Sequence, residues 1–190
     1  MKGVNIFLAD GFEDTEALAT NDVLRRAGIR TNLIAISDDP FVVSSRGITI
    51  GVEEFLSDAD LSAEGTTLHD VMVFPGGQPG TSNLAACKPL IKAMKAHYAA
   101  GGTVAAICAA PGFVLGQLDC WDGKVFTCFD GCEELPASKG GMFVPKPAIT
   151  DGQLITGRSA GHSIAFGLEI VKRVKGDEAA AKVAYSMFLG

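Results

Sequence analysis

The chain has 190 residues, of which 47% are hydrophobic, and its formal net charge is −6 at pH 7. This composition predicts a single domain spanning residues 1–190 with a sizeable core, and it excludes an intrinsically disordered chain. The 16 Lys and Arg residues form no basic block, so we expect no nucleic-acid partner. No run reaches the roughly 18 apolar residues of a membrane helix, so we expect no membrane partner. No secretory signal is convincing, because Asp10 interrupts the short apolar run after Lys2, and we expect a cytoplasmic protein.

Strand and helix patterns alternate along the chain. The predicted strands are residues 4–9, 30–36, two short strands within 42–52, 70–77, 103–107, 124–129 and a hairpin over 148–157. The predicted helices are residues 14–27, 84–99, 109–118, 161–174 and 177–188, and residues 130–147 are expected to form a long surface excursion. Short apolar strands separated by helices favour an α/β fold with a doubly wound, mostly parallel sheet.

Three chemically interesting features follow predicted strands. Glu16 lies in GFEDTEA after the first strand, Gly76 and Gly77 end the strand of VMVFPGG, and Cys108 ends the strand of TVAAIC. Ligands of open α/β sheets bind outside the carboxyl ends of the strands. If these strands are neighbours, Glu16, the Gly76-Gly77 backbone and Cys108 meet at one edge of the sheet.

Cys108 admits two interpretations, a buried core thiol or a nucleophile. In the second, the sharp strand-to-helix turn presents the thiol and directs N–H groups of the next helix at it. Lowering a thiol pKa from about 8.5 to about 5.5 takes roughly 4 kcal/mol, whereas a helix terminus supplies about 0.3–1 kcal/mol. A buried, protonated Glu16 that donates to the thiolate would supply part of the rest. The alternative for Glu16 is a solvated carboxylate in a first helical turn.

The sequence predicts neither a cofactor nor a metal. It has no GxGxxG or GxxxxGK[ST] motif, which removes the usual nucleotide-binding interpretations. Its five cysteines, an odd number without a CxxC pair, favour reduced thiols over a disulfide framework. The spacing of Cys120, Cys128 and Cys132 matches no common zinc pattern. Of the histidines, His97 is predicted on a surface helix, and His162 lies near a helix start, as a local cap or within reach of the same edge.

Six segments carry a resemblance to a known family: GFEDTEA near the start, VLRRAGI at 23–29, SSRGITI at 44–50, VMVFPGG at 71–77, AAICAAP at 105–111 and DGQLITGR at 151–158. On these segments the chain resembles the ThiJ/PfpI superfamily (class I glutamine-amidotransferase-like), most closely the branch of the Parkinson-disease protein. The resemblance implies a flavodoxin-like sandwich and a homodimer. It also implies Cys108 as nucleophile and Glu16 as its protonated partner.

The resemblance further implies an oxyanion or substrate pocket at the backbone of Gly76, Gly77 and Ala109. Arg46 is similar to an arginine on the dimer-side approach to that pocket, as is Arg26, for which ordinary surface charge is the preferred interpretation. Peptidase members carry a histidine directly after the nucleophile, where this chain has Ala109, so we expect no peptidase activity. The most similar branch has a histidine where this chain has Cys128. Cys128 is then either a resolving thiol that captures oxidised Cys108 or a buried replacement for packing.

Two classes of function remain open from the sequence. The first is a cysteine-nucleophile enzyme for small reactive carbonyl compounds. The resemblance implies two such activities: a glutathione-independent glyoxalase, which converts methylglyoxal to lactate, and a deglycase, which acts on glycated amines. The alternative is a redox-sensing or chaperone-like stress protein in which Cys108 is oxidised. A hydratase or amide-forming member of the superfamily is a third interpretation.

Overall fold

The strands form one large sheet and two small ones. The computed structural model describes residues 1–52 and 54–189. Its strands are β1 (Val4–Leu8), β2 (Thr31–Ala35), β3 (Phe41–Val43), β4 (Thr49–Gly51), β5 (Glu54–Phe55), β6 (Val71–Phe74), β7 (Thr103–Ile107), β8 (Val125–Phe126), β9 (Met142–Phe143), β10 (Ala148–Asp151) and β11 (Leu154–Gly157). The large sheet has the order β10-β11-β7-β6-β1-β2-β5, and only its β10–β11 pair is antiparallel.

Helices cover both faces of the large sheet. They are α1 (Asp14–Arg26), α2 (Gly80–Ala86), α3 (Lys88–Ala99), α4 (Ala110–Phe113), α5 (Glu134–Ser138), α6 (Ser163–Lys175) and α7 (Asp177–Ser186). Successive residues of a strand face opposite sides, so Phe7 joins the core beneath α2 and α3 while Ile6 and Leu8 join the core beneath α1 and α6. The predicted single-domain α/β sandwich with a mostly parallel sheet is confirmed. Within the described part of the chain, no helix is long and apolar enough to cross a membrane.

The strands that lead into the three sequence features are adjacent. β1 pairs with β6 from Val4 opposite Val71, and β6 pairs with β7 from Val71 opposite Thr103. Because all three run in the same direction, their carboxyl ends form one row. The loops that carry Glu16, Gly76 and Cys108 therefore leave the sheet side by side, as the sequence predicted.

Several predicted elements differ from the structure. The helix predicted over 84–99 is two helices, because Cys87 is extended (φ −75°, ψ 90°) and Pro89 lies in the first turn of α3. The strand predicted over 124–129 is reduced to β8, which pairs only with β9. Two backbone N–H groups of this segment donate to side chains rather than to a neighbouring strand. The Val125 N–H donates to Asp151 at 2.9 Å, and the Thr127 N–H donates to Thr156 at 3.0 Å.

The excursion predicted over 130–147 is partly ordered, since it contains α5 and β9. The hairpin of β3 and β4 and the hairpin of β10 and β11 are both confirmed. The prediction that His97 lies on a surface is wrong. His97 is buried between α3 and β7, where its Nε2 lies 3.0 Å from the carbonyl oxygen of Asp70 and 3.2 Å from that of Thr103.

Candidate active site

Cys108 occupies a strained turn between β7 and α4. Its φ is +64°, a left-handed conformation that is uncommon for a residue with a side chain. The backbone is fixed on both sides: the Cys108 N–H donates to Gly157 at 3.0 Å and its carbonyl accepts from Phe129 at 2.8 Å. These contacts hold the half-buried thiol at the carboxyl edge of the sheet, in the strand-turn-helix arrangement of a nucleophile elbow.

Gly76 packs against both the Cys108 thiol and the Glu16 carboxyl. A Cβ atom on Gly76 would lie 2.6 Å from Glu16 Oε2, 2.7 Å from Cys108 Cβ and 3.2 Å from Cys108 Sγ. Gly76 does not have a positive φ, so its backbone conformation is open to other residues. The requirement for glycine at this position is therefore the close approach of Glu16 and Cys108, not the turn.

Glu16 is a buried acid in the first turn of α1. Its side chain is held by one hydrogen bond, since Oε2 accepts from the Gly76 N–H at 2.7 Å. Its backbone N–H donates to the carboxylate of Glu13 at 2.7 Å, which fixes the first turn of α1. Only 1% of Glu16 is exposed, and this burial raises the pKa of Glu16 from 4.5 to about 7. The Cys108 thiol and the Gly76 N–H each oppose that rise.

The thiol and the carboxyl influence each other. Burial raises the pKa of Cys108, and the negative charge of Glu16 raises it further, whereas the Ala109 N–H lowers it by hydrogen bonding to the sulfur. Two such groups titrate as a pair, since ionising one disfavours ionising the other. Near pH 7 the pair is losing its first proton, and loss of the second is disfavoured by the negative charge already present.

The proton has a defined position when the acid is neutral. Glu16 Oε2 is occupied by the Gly76 N–H, whereas Oε1 is buried and makes no hydrogen bond within residues 1–52 and 54–189. Oε1 therefore has no partner in the described chain and is free to carry the proton when Glu16 is neutral.

The backbone N–H groups near the thiol differ in whether they are free to bind an anion. The N–H of Gly76, which was predicted among the oxyanion or substrate-binding residues, is occupied by Glu16 at 2.7 Å and holds the acid. The N–H of Ala109 points at the sulfur. The N–H of Gly77 has no hydrogen-bond partner among the residues that the structure describes. Gly77 and Ala109 are thus the donors that remain near the thiol.

Arg46 lies at the exposed tip of the β3–β4 hairpin. The hairpin is attached to the loop after β1, because Ser44 donates to Asp14 at 2.6 Å and Val43 donates to Asp10 at 2.8 Å. No ion pair of Arg46 is found in the described portion of the chain. Arg46 is thus an uncommitted cation on the α1 side of the site.

Cys128 and Cys132 flank the turn that covers Cys108. Cys128 is fully buried, and burial raises the pKa of its thiol. Cys132, which the sequence analysis did not place near the site, packs on the first turn of α4, where its carbonyl oxygen would lie 1.9 Å from a Cβ on Gly112. Only the pairing of two loops distant in sequence reveals this contact, so no local sequence pattern could have predicted it.

Residues 157–161, GRSAG, have the GxSxG spacing of serine hydrolases. Ser159 nevertheless has an extended backbone (φ −169°, ψ 176°) and no nucleophile turn. Its hydroxyl lies 3.0 Å from His162 Nδ1. His162 precedes α6 directly, but its side chain makes no capping hydrogen bond to that helix. No group of three or more metal-ligating side chains occurs among the residues placed by the structure.

The strained thiol, buried acid and intervening glycine define a class of α/β protein with a cysteine nucleophile elbow. The model of the DJ-1/PfpI family matches residues 2–173. The chain belongs to this family, which confirms the resemblance to the ThiJ/PfpI superfamily.

Individual relatives agree with the family assignment. The chain is 33% identical to Protein DJ-1 homolog B of Arabidopsis thaliana over 183 residues, 96% of this chain but only 40% of that protein. It is 30% identical to Protein dj-1beta of Drosophila melanogaster over 188 residues, 99% of this chain and 97% of that protein. It is 28% identical to the glutathione-independent glyoxalase DJR-1.2 of Caenorhabditis elegans over 169 residues, 87% of this chain and 84% of that protein.

A solved structure matches the whole chain. A cysteine-to-alanine mutant of the DJ-1 superfamily protein STM1931 from Salmonella typhimurium superimposes with a TM-score of 0.88 at 32% identity, covering all of both chains. The fold of the described residues is therefore that of this superfamily.

Proposed function

We propose that this protein is an enzyme that uses the Cys108 thiol to attack small reactive carbonyl compounds, with methylglyoxal as substrate and lactate as product. The observation that carries the proposal is the placement of a buried acid with a pKa of about 7 against the same glycine as the strained thiol. An acid that titrates near the working pH is suited to proton transfer. The similarity to a glutathione-independent glyoxalase supports the same chemistry.

The reaction begins when ionised Glu16 takes the proton of the Cys108 thiol and the resulting thiolate adds to the aldehyde carbon of methylglyoxal. A carbon–sulfur bond forms, the carbonyl electrons move to oxygen, and the oxyanion is stabilised by the N–H groups of Gly77 and Ala109. Glu16 supplies the proton that converts the oxyanion to a hemithioacetal hydroxyl. Because the chain holds the thiol and the donors in place before the substrate arrives, little reorganisation is needed.

Glu16 then moves protons during the rearrangement. As a carboxylate it removes the proton from C1 of the hemithioacetal, and a proton is returned to C2, which produces a lactoyl thioester on Cys108. Water hydrolyses the thioester, breaks the carbon–sulfur bond and releases lactate. The sum is methylglyoxal plus water to lactate plus a proton, so no external oxidant or glutathione is consumed.

Glu16 carries the proton transfers without a neighbouring histidine in this proposal. Position 109 is alanine and position 128 is a fully buried cysteine, so neither supplies a base that could protonate the leaving amine of a peptide. This supports a carbonyl substrate over a peptide. Removal of a dicarbonyl adduct from a glycated amine begins with the same carbonyl chemistry, and deglycation is included in the proposed substrate class.

Replacing Cys108 by serine is expected to lower kcat/KM for methylglyoxal by about 10³-fold or more, because the hydroxyl lacks the nucleophilicity of the thiolate. Lactate formation without glutathione is measured by proton NMR. The control is Cys87→Ser, which removes a thiol at the junction of α2 and α3 and should retain activity. Equal turnover by wild type and Cys108→Ser would contradict the proposal.

We propose further that the chain forms a homodimer through the face that bears the β3–β4 hairpin. Phe41 and Ile48 of this hairpin are 59% and 52% exposed, and Val43 is exposed beside them. Such an apolar patch is typical of an interaction surface. Its attachment to the loop after β1 would bring the interface close to the candidate active site.

The double substitution Phe41→Ser and Ile48→Ser is expected to convert a dimer to a monomer, since it removes the apolar contact area. Light scattering coupled to size-exclusion chromatography reports the mass. Substitution of the exposed Tyr185 and Phe188 near the opposite chain end serves as control. A wild-type mass equal to that of one chain would refute the dimer.

A further inference from the structure

Cys132 lies against the helix that starts at the nucleophile. The Phe129 N–H donates to the Cys108 carbonyl at 2.8 Å, and the Cys132 N–H donates to the Phe129 carbonyl at 3.0 Å. This turn folds Cys132 over α4, where its Cβ would lie 3.3 Å from a Cβ on Gly112. Gly112 lies in α4, the short helix that starts two residues after Cys108, so this turn places Cys132 against the helix that follows the nucleophile.

The surroundings of Cys132 differ from those of Cys128. Cys132 is partly exposed and lines a cavity of about 450 Å³ together with Gly112, Phe113 and Leu135. Cys128 has no exposed surface. A thiol that captures an oxidised partner must approach its sulfur, and only Cys132 combines exposure with a place on the turn above Cys108.

Electrostatics agree with this placement. A negative charge on Cys132 raises the pKa of Cys108, and it also raises the pKa of Cys128. Cys132 is therefore close enough to affect both thiols.

We propose that Cys132, rather than Cys128, is the resolving thiol for Cys108, and that the two form a disulfide when Cys108 is oxidised by a hydroperoxide. The Cys108 thiolate attacks the peroxide, an S–O bond forms, the O–O bond breaks and an alcohol or water leaves. The Cys132 thiolate then attacks the sulfur of the sulfenic acid, the S–S bond forms and water leaves. Two thiols lose two electrons in total, and the hydroperoxide accepts them.

The turn that carries Cys132 can close the remaining distance. A disulfide requires Cα atoms roughly 4.4–6.8 Å apart. Residues 129–131 are exposed, and Gly131 has a φ of +87°, so Cys132 can approach Cys108 by a change at Gly131 while the Phe129 N–H stays on the Cys108 carbonyl. Cys128 would have to leave the core in which it packs, which is the physical reason for preferring Cys132.

The inference is tested with equimolar hydrogen peroxide, followed by alkylation of free thiols and intact-mass and peptide analysis. Wild type is expected to lose the mass of two hydrogens and to yield a linked peptide containing Cys108 and Cys132. Cys128→Ser should behave as wild type. Cys132→Ser, treated with excess peroxide, should instead gain two oxygens at Cys108 as a sulfinate.

Recovery of activity provides a second readout. Dithiothreitol should restore methylglyoxal turnover in peroxide-treated wild type but not in peroxide-treated Cys132→Ser, because a sulfinate is not reduced by thiols. A link from Cys108 to Cys128, or oxygen addition without any disulfide in wild type, overturns the inference. The inference needs the nucleophilic thiol of the proposed function but not its turnover, so it can fail while methylglyoxal conversion persists.

Discussion

Replacing Gly76 by alanine is expected to lower kcat/KM by about 10²-fold or more while the chain still folds. A Cβ there would overlap Glu16 Oε2 at 2.6 Å and Cys108 Cβ at 2.7 Å, distances at which atoms must move apart. A displacement of about 1 Å at a reacting group costs on the order of 10²-fold in rate. The backbone conformation at Gly76 accepts alanine, so the loss reports the separation of acid and thiol rather than strain in the turn.

The matched control for this substitution is Gly161→Ala. Gly161 also lacks a positive φ, and a Cβ at this position meets nothing within 4 Å. Turnover of methylglyoxal and the rate of Cys108 alkylation are measured for both variants, with thermal unfolding as the check on folding. Full activity of Gly76→Ala would contradict the proposed contact between Glu16 and Cys108.

Local sequence patterns predicted the parts of the site that depend on strand ends. TVAAIC is a short apolar run that stops at a turn, and a buried parallel strand of that kind must deliver its last residue to the carboxyl edge of the sheet. The same argument placed Gly76 at the end of VMVF. Cys108 and Gly76 were therefore predictable in position without knowledge of the family.

Features that depend on tertiary packing were not predictable. The break between α2 and α3 has a local signal in Pro89, which suits only the first turn of a helix, but the apolar periodicity continues across it. The shortening of β8 results from Asp151 and Thr156 accepting hydrogen bonds from Val125 and Thr127. Periodicity carries no information about such partners, or about the position of Cys132 on α4.

The reason for Gly76 was also hidden in the sequence. A Pro-Gly-Gly stretch predicts a turn, and Gly77 does have a φ of +90° as a turn requires. Gly76 has no such need, and its small size serves the contact between Glu16 and Cys108. Glycine is thus required at position 77 for its backbone conformation and at position 76 for its small size.

Replacing Glu16 by glutamine is expected to stabilise the protein relative to wild type as the pH rises from 5 to 7.5. The pKa of Glu16 is about 7 in the folded chain, above its ordinary value of 4.5, so between these values the folded state binds more protons than the unfolded state. Wild-type stability therefore falls as the pH rises through this window. The uncharged glutamine does not titrate, and the difference between the two proteins should grow by up to about 3 kcal/mol.

Urea unfolding at pH 5 and pH 7.5 measures the difference in free energy of unfolding between Glu16→Gln and wild type. The control is Glu178→Gln, which removes an exposed carboxylate and should not produce this pH dependence. Working below pH 8 avoids ionisation of the thiols in the unfolded chain.

Methylglyoxal turnover by Glu16→Gln should be lost at every pH, because glutamine cannot accept the C1 proton. A stability difference that does not change with pH would show that the pKa of Glu16 is not raised in the folded chain, and so weak a base could not take up the thiol proton as the proposed addition requires. Growth of the difference together with loss of turnover would identify Glu16 as the group that holds the proton at Cys108.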